Sequence, residues 1–254
     1  MVNLALTGCA GSGPTLSVNY SLYGKEITLK KLTDGSEGVF SPNGKWVALS
    51  DGGIYLYDID RESRRRLVSR GSSPAWSPDG KTIAYADQGI WLYHIDLKKK
   101  ERLTEAGDTP DWSPEGDSLV YADRGINVIN LSTGKSEKIV KQGFDPSWSV
   151  KGKEILYTSL SPETLVFSIY SFQINLKSKK ALIESGFQPA WSFDGRHFAY
   201  SDTGVWTASS EGAQPIRITD FGIKPAWSPD NKQLLFSHKG MIWLCDSPYV
   251  KAAK

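Results

Sequence analysis

Six polar side chains of different chemistry recur at one position of a repeating pattern: Glu37, Ser73, Thr109, Asp145, Gln188 and Lys224, spaced by 36, 36, 36, 43 and 36 residues. An acid, a base and neutral hydrogen-bonding groups brought together can orient a ligand, because each reads a different donor or acceptor. One residue earlier stand Ser36, Ser72, Asp108, Phe144, Phe187 and Ile223. That second set is polar in the first repeats and apolar in the later ones. The carboxylates of Glu37, Asp108 and Asp145 are the only groups here suited to acid–base work. No nucleophile pairs with a base, and neither a Gly-x-Ser-x-Gly elbow nor a phosphate loop occurs. The histidines His94, His197 and His238 lie in different repeats and lack metal-ligand spacing. No catalytic residue is therefore assigned. Carboxylates drawn from several repeats would leave no spacing signature; a strongly raised Asp pKa between the repeats would be their mark.

A second recurring acid is Asp51, Asp87, Asp123 and Asp202, each one or two residues before a Gly. A ring of carboxylates can hold a cation through oxygen. Asp also favours such turns for its own backbone reasons, and symmetry would space these groups too widely for one ion. No metal and no cofactor is expected.

The elements that must position these residues follow from the repeat. Its anchors are Phe40, Trp76, Trp112, Trp148, Trp191 and Trp227. A period near 40 with several short strands per unit indicates a solenoid or propeller. In residues 71–106, Ala75-Trp76-Ser77 reads as an inner strand and Ser77-Pro78-Asp79-Gly80 as a turn. Thr82–Ala86 alternates as a second strand, Asp87-Gln88-Gly89 closes a hairpin, and Ile90–Ile95 is a third. Asp96–Lys100 reads as a turn and Arg102–Thr104 as the outer strand. Four antiparallel strands make one blade. The outer-strand signal recurs at Leu67, Leu103, Ile139, Leu182 and Ile218; one more period falls at residue 254, the last of the chain. Ile27–Thr33 carries that missing signal, so it is expected to complete the last blade and close a six-bladed ring, removing two sheet edges. The anchor Trp residues and Ser-Pro-Asp-Gly turns are read as structural, with the Trp packed between blades.

The pattern Pro-x-Trp-Ser-Pro-Asp-Gly-Lys followed by Ile-Ala-Tyr resembles the TolB-type six-bladed propeller repeat, also called WD40-like, over roughly residues 26–246. The first unit departs from it, with Phe40-Ser41-Pro42-Asn43-Gly44-Lys45. The resemblance implies a periplasmic or cell-envelope binding module. TolB carries an additional N-terminal α/β domain and prolyl-oligopeptidase-like propellers a hydrolase domain; the chain as given has room for neither.

By blade order, the mouth of the central channel gathers Glu37, Ser73, Thr109, Asp145, Gln188 and Lys224, with Asp108, Phe144 and Phe187 beside them. The fourth unit is seven residues longer than the others, and its excess carries Leu160, Leu165 and Val166, apolar for a loop. Insertions on a regular scaffold often serve recognition, although this one can equally fold back on its blade. Basic clusters (Arg61, Arg64, Arg65 and Arg66; Lys98, Lys99 and Lys100; Lys177, Lys179 and Lys180) read as third-to-fourth-strand turns on the opposite face and rim. They suit an anionic partner or membrane surface, or serve to block edge-to-edge aggregation.

The 254 residues, 39% hydrophobic, can bury a large core. A net charge of +2 gives no reason to expect nucleic acid. Cys245 lies in an apolar stretch and reads as a core thiol. Leu6-Thr7-Gly8-Cys9 resembles a bacterial lipobox followed by a Gly/Ser tether. Only eight residues precede Cys9 and none is basic, so either the start lies upstream or the match is chance. The chain divides into residues 1–25 (signal remnant and flexible tether), 26–246 (propeller) and 247–254 (tail). The expectation is a monomeric, non-catalytic binding scaffold, periplasmic and lipid-anchored to the outer membrane through Cys9. It would take a protein or peptide at the channel mouth. The alternatives are a glycan- or small-ligand-binding propeller or lyase using the same mouth, and a structural subunit docking by its rim. A plugged channel with an apolar mouth favours protein docking; an open polar channel favours a small ligand.

Overall fold

In the structure, a computed structural model that describes residues 17–22 and 25–249, every regular element is a β-strand. The strands form six antiparallel sheets arranged as the blades of a propeller. Five sheets have four strands in sequence order from the channel outward: blade one spans Glu37–Val68, blade two Ser72–Arg102, blade three Asp108–Val140, blade four Phe144–Ile183 and blade five Phe187–Arg217.

Blade six closes the ring as the repeat count predicts. Its C-terminal strands Ile223–Trp227, Gln233–His238 and Met241–Asp246 are completed by β2 (Lys25–Asp34), which pairs antiparallel with Met241–Leu244. The sheet then continues into a fifth strand, β1 (Ser17–Leu22), paired in register with β2. Residues 17–22, expected in the tether, are thus part of the fold. The cause is a short period-two pattern: Val18 and Tyr20 are buried while Asn19 and Ser21 face out. The outer strand of blade five, Ile216–Arg217, has only two residues. Tyr20 covers the space beside it, edge-on to Phe221 at 5.3 Å, with its hydroxyl accepting from the Asp220 N–H at 3.1 Å. Cys9 and the proposed lipobox lie outside the described residues. In the C-terminal tail, Tyr249 stacks on His197 at 3.7 Å and donates to Thr207 Oγ1, tying blade six to blade five.

The core is a set of seams between blades. One cluster joins Ala84 and Leu92 of blade two to Trp112, Leu119 and Tyr121 of blade three. Another joins Leu56 to Ile83 and Tyr85, and a third joins Phe40 and Leu49 to Leu235 and Ile242 across the closure. Second-strand residues such as Ile83, Ile155 and Phe198 are wholly buried there. Each is worth roughly 1.5–3 kcal/mol of burial.

Turn chemistry sets the strand ends. In blade two, Ser77 Oγ donates to Asp79 Oδ1 at 2.6 Å and accepts the Thr82 N–H, and Gly80 takes φ 70°. The Ser77 hydroxyl is the main reason the Asp79 carboxyl titrates below its ordinary value. At Gly89, φ 123°, a Cβ would collide with the carbonyl oxygen of Thr104, so only glycine closes this hairpin.

The outer strands begin earlier than the sequence suggests. They include Ser63–Val68, Lys99–Arg102 and Ser178–Ile183, so Arg64, Arg65, Arg66, Lys99, Lys100, Lys179 and Lys180 lie on strands and not in turns. Basic side chains there cover third-strand aromatics: Arg64 over Tyr55 at 4.9 Å, Lys100 over Trp91 at 5.2 Å and Lys179 over Tyr170 at 5.7 Å. This cation–π cover, together with exposed edge charge, accounts for much of the basic composition of the rim.

Candidate functional site at the channel mouth

The channel is open. Its cavity of about 620 Å³ runs along all six inner strands, from Glu37, Ser73, Thr109, Asp145, Gln188 and Lys224 to Pro42, Pro78, Pro114, Val150, Phe193 and Pro229. The six predicted mouth residues therefore meet in one cavity.

A bulge sets five of them there. In blades two to six the inner strand shifts register around the residue before the proline. Ser73, Thr109, Asp145, Gln188 and Lys224 take φ values of 49°, 46°, 48°, 54° and 55°. Left-handed backbone costs a non-glycine residue about 1–2 kcal/mol. The proline that follows has no N–H to leave unpaired at the irregularity. Blade one lacks the bulge: Gly38 replaces the proline and Glu37–Phe40 pair regularly with Val47–Ser50.

The mouth residues differ sharply in how far they are satisfied. Glu37 is buried. Its Oε1 accepts from Ser50 Oγ at 2.9 Å and from the Ser73 N–H, and its Oε2 accepts from Lys224 Nζ at 2.5 Å. Gln188 Oε1 accepts the Lys224 N–H and the Ser201 hydroxyl, both at 3.1 Å, while the Gln188 N–H donates to Thr158 Oγ1. These bonds lock one side of the mouth.

On the other side, Asp108 is exposed and accepts the Thr109 N–H at 2.7 Å and the Ser73 hydroxyl at 3.4 Å. Thr109 Oγ1 is buried with no partner among the described residues. Asp145 forms no hydrogen bond and no ion pair among the described residues, and it titrates at about 6. Desolvation is the main cause; the charges of Asp108 and Glu37 add to it, and Lys224 opposes it.

A second acid lies one step deeper and was not singled out in the sequence. Asp111 occupies the position held by Val39, Ala75, Ser147, Ala190 and Ala226 in the other blades. Its Oδ1 accepts the Trp112 N–H at 2.9 Å and its Oδ2 the Trp148 N–H of the next blade at 2.7 Å. Desolvation pushes it to about 6 against those two bonds. The available signal was one carboxylate in a column of small or apolar residues.

The anchor Trp residues both line the channel and pack between blades. Trp112 and Trp227 donate their indole N–H to the carbonyls of Ala75 and Ala190 in the preceding blades at 3.1 Å. The indole N–H groups of Trp76, Trp148 and Trp191 are buried without partners among the described residues.

The insertion stands out on the mouth face. It lengthens the paired strands of blade four to Glu154–Leu160 and Phe167–Gln173. The loop closes with Ser161 N–H to the Val166 carbonyl and Leu165 N–H to the Ser161 carbonyl, both at 2.9 Å. It does not fold back: Leu165 is 72% exposed, and Leu160, Val166 and Phe167 are also exposed. Phe144 is half-buried beneath it, edge-on to Phe167 at 5.1 Å. Phe187 is half-buried and Ile223 exposed.

The turn carboxylates remain apart. Arg64 pairs with Asp51 at 2.9 Å, and Ser185 Oγ donates to Asp202. No three His, Cys, Asp or Glu side chains among the described residues converge to hold a metal ion.

No protein-family model and no curated protein matches the chain. Among solved structures it is similar to TolB from Acinetobacter baumannii, with TM-score 0.67 and 20% identity over 83% of this chain and 63% of that one. It is also similar to a gluconolactonase from Xanthomonas campestris, with TM-score 0.73 and 10% identity over 94% and 99% of the two chains. An oligogalacturonate lyase solved with manganese gives TM-score 0.63 and 13% identity over 93% and 97%. The chain spans 63% of the length of that TolB. The shared property is the fold, an all-β, six-bladed propeller.

Proposed function

We propose that this propeller is a non-catalytic binding scaffold of the bacterial cell envelope that takes a protein or peptide segment across its channel-mouth face. The observation that carries this reading is the exposed apolar ridge of blade four, Leu160, Leu165, Val166 and Phe167, standing beside the channel mouth with Phe144 packed edge-on to Phe167. Exposed apolar side chains grouped beside a cavity are a common basis for recognition. The envelope setting rests on the lipobox-like Leu6–Cys9 and on the TolB-like repeat. Anchoring through Cys9 and a monomeric state belong to the same proposal.

The test is capture from envelope extract by the full chain and by the double variant Leu165→Ser, Val166→Ser. A protein retained by the wild type and lost by the variant is expected. A protein retained equally by both would sink the blade-four face.

A second reading is a small-ligand or lyase-type propeller that uses the channel itself. Two observations favour it: the channel is open, and Asp111 and Asp145 titrate at about 6 within it. A carboxyl near that value can exchange a proton close to neutral pH.

A further inference from the structure

We propose that the blade-three and blade-four side of the channel mouth binds an organic cation on an apolar stem, an ammonium or guanidinium such as a lysine or arginine side chain of the partner segment presents. This deepens the binding reading and rests on the mouth being the binding face.

The argument starts from charge. Lys224, Asp108 and Glu37 are the charged groups that act on Asp145 at the mouth. Lys224 is already committed, its ammonium held by Glu37. Asp145 keeps a largely desolvated carboxylate with no hydrogen bond and no ion pair among the described residues. An ionised group held in this state disfavours folding unless something else compensates it. An incoming cation supplies the missing charge.

The wall beside Asp145 selects the kind of cation. It is indole and proline: Trp112, Trp148, Pro110 and Pro146. Such a wall suits an alkyl stem whose positive head reaches Asp145. An anion would meet the three carboxylates. A neutral ligand would leave Asp145 uncompensated. A divalent metal ion needs several converging oxygen ligands, which the described residues do not provide.

The test is titration of the full chain at about pH 7.5 with n-pentylammonium and n-pentylguanidinium, read by indole fluorescence and by NMR shifts of the Trp side chains. n-Pentanol, pentanoate and calcium chloride are the comparators. Both cations are expected to bind about tenfold or more tightly than pentanol, with no saturable response to pentanoate or calcium. Asp145→Asn and, separately, Asp108→Asn should each weaken the cations toward the pentanol level and leave pentanol unchanged. Cation affinity in the wild type should fall as the pH drops through about 6. Pentanol binding as tightly as the cations, or cation affinity unchanged in both variants, would overturn the proposal.

A peptide arm separates a protein source from a free amine. Acetyl-Leu-Lys-Leu-amide should bind more tightly than pentylammonium in the wild type and lose that advantage in Leu165→Ser, Val166→Ser. Equal binding in both proteins would assign the site to free amines, overturning the partner side chain as its source. The two readings also fail separately. If the double variant still captures every protein but pentylammonium binds through Asp145, blade-four docking fails and the cation site stands. If capture depends on the ridge and no cation binds, the cation site alone fails.

Discussion

The two sides of the channel mouth are built from the same repeat, yet they are finished in opposite ways. On the side of blades six, one and two, Lys224, Glu37 and Ser73 form a continuous set of bonds across the ring closure. Glu37 accepts from Ser50, Ser73 and Lys224, so its charge is fully engaged. On the side of blades three and four, Asp145 has no partner among the described residues, and its carboxyl is raised to about 6. Glu37 serves the seam where the two ends of the chain meet, while Asp145 burdens the fold with an unpaired acid. Position in the repeat places a side chain at the mouth; the neighbours of that position decide whether it is structural or left for a ligand.

Removing the engaged acid should break the comparison most severely. Glu37→Ala strands the Lys224 ammonium and the donors of Ser50 and Ser73. Losing one partner of a buried pair costs about 3–5 kcal/mol. That predicts a fall in Tm of about 10 °C for a chain of this size, measured by circular dichroism. A Tm unchanged by Glu37→Ala would mean that the closure relies on β2 pairing and the apolar seam alone.

The matching change on the open side should act in the opposite direction. The Asp145 pKa is about 6 in the folded chain, above its value in the unfolded chain. Between those values the folded state holds a proton that the unfolded state has released. Stability therefore declines as pH rises through the window from about 4 to 6, and the loss persists above it. Asp145→Asn removes a penalty of at most about 3 kcal/mol at neutral pH. Its Tm should exceed that of the wild type at about pH 7.5, and the two should converge near pH 4. A variant less stable than wild type at neutral pH would show that the carboxylate is compensated after all.

Asp111 sharpens the point, because it has the same raised pKa with two hydrogen bonds. Asp111→Asn also removes a desolvated charge. It leaves the Trp112 or Trp148 N–H facing an amide nitrogen, however, and an unsatisfied donor costs about 1–3 kcal/mol. Gain and loss should largely cancel, so Tm at neutral pH should change far less in Asp111→Asn than in Asp145→Asn. If Asp111→Asn stabilised the chain as much as Asp145→Asn, the bonds to the two backbone N–H groups would be contributing nothing.

The ring was legible in the sequence because its causes are local and repeated. The Pro-x-Trp-Ser-Pro turn, the Asp-x-Gly hairpin and the orphan strand signal at Ile27–Thr33 each recur at a fixed spacing. β1 was not legible: Val18 and Tyr20 form a single short alternation outside the repeat, and its burial depends on blade five having a two-residue outer strand. The basic outer strands were misplaced because lysine and arginine runs resemble turns until third-strand aromatics such as Tyr55 and Trp91 are seen beneath them. The mouth residues were legible as a set, but their division was not. That Glu37 is spent and Asp145 free depends on Ser50, its cross-strand partner within blade one, and on Lys224, which meets Glu37 only when the ring closes.

The smallest expected effect on stability lies at the blade-four ridge, where the comparison concerns use and not folding. Leu165 is 72% exposed at φ 57°, so Leu165→Ser removes little buried surface and should change stability by no more than about 0.5 kcal/mol. Phe167→Ala also loses its edge contact with Phe144 and should cost somewhat more, about 0.5–1.5 kcal/mol. If Leu165→Ser lowered Tm as far as Phe167→Ala, the ridge would be a packing element of blade four. A near-silent Leu165→Ser leaves the exposed side chain without a structural task, as Asp145 is left without a partner. The ridge and the unpaired acid stand together on blade four, opposite the seam that the rest of the mouth serves to close.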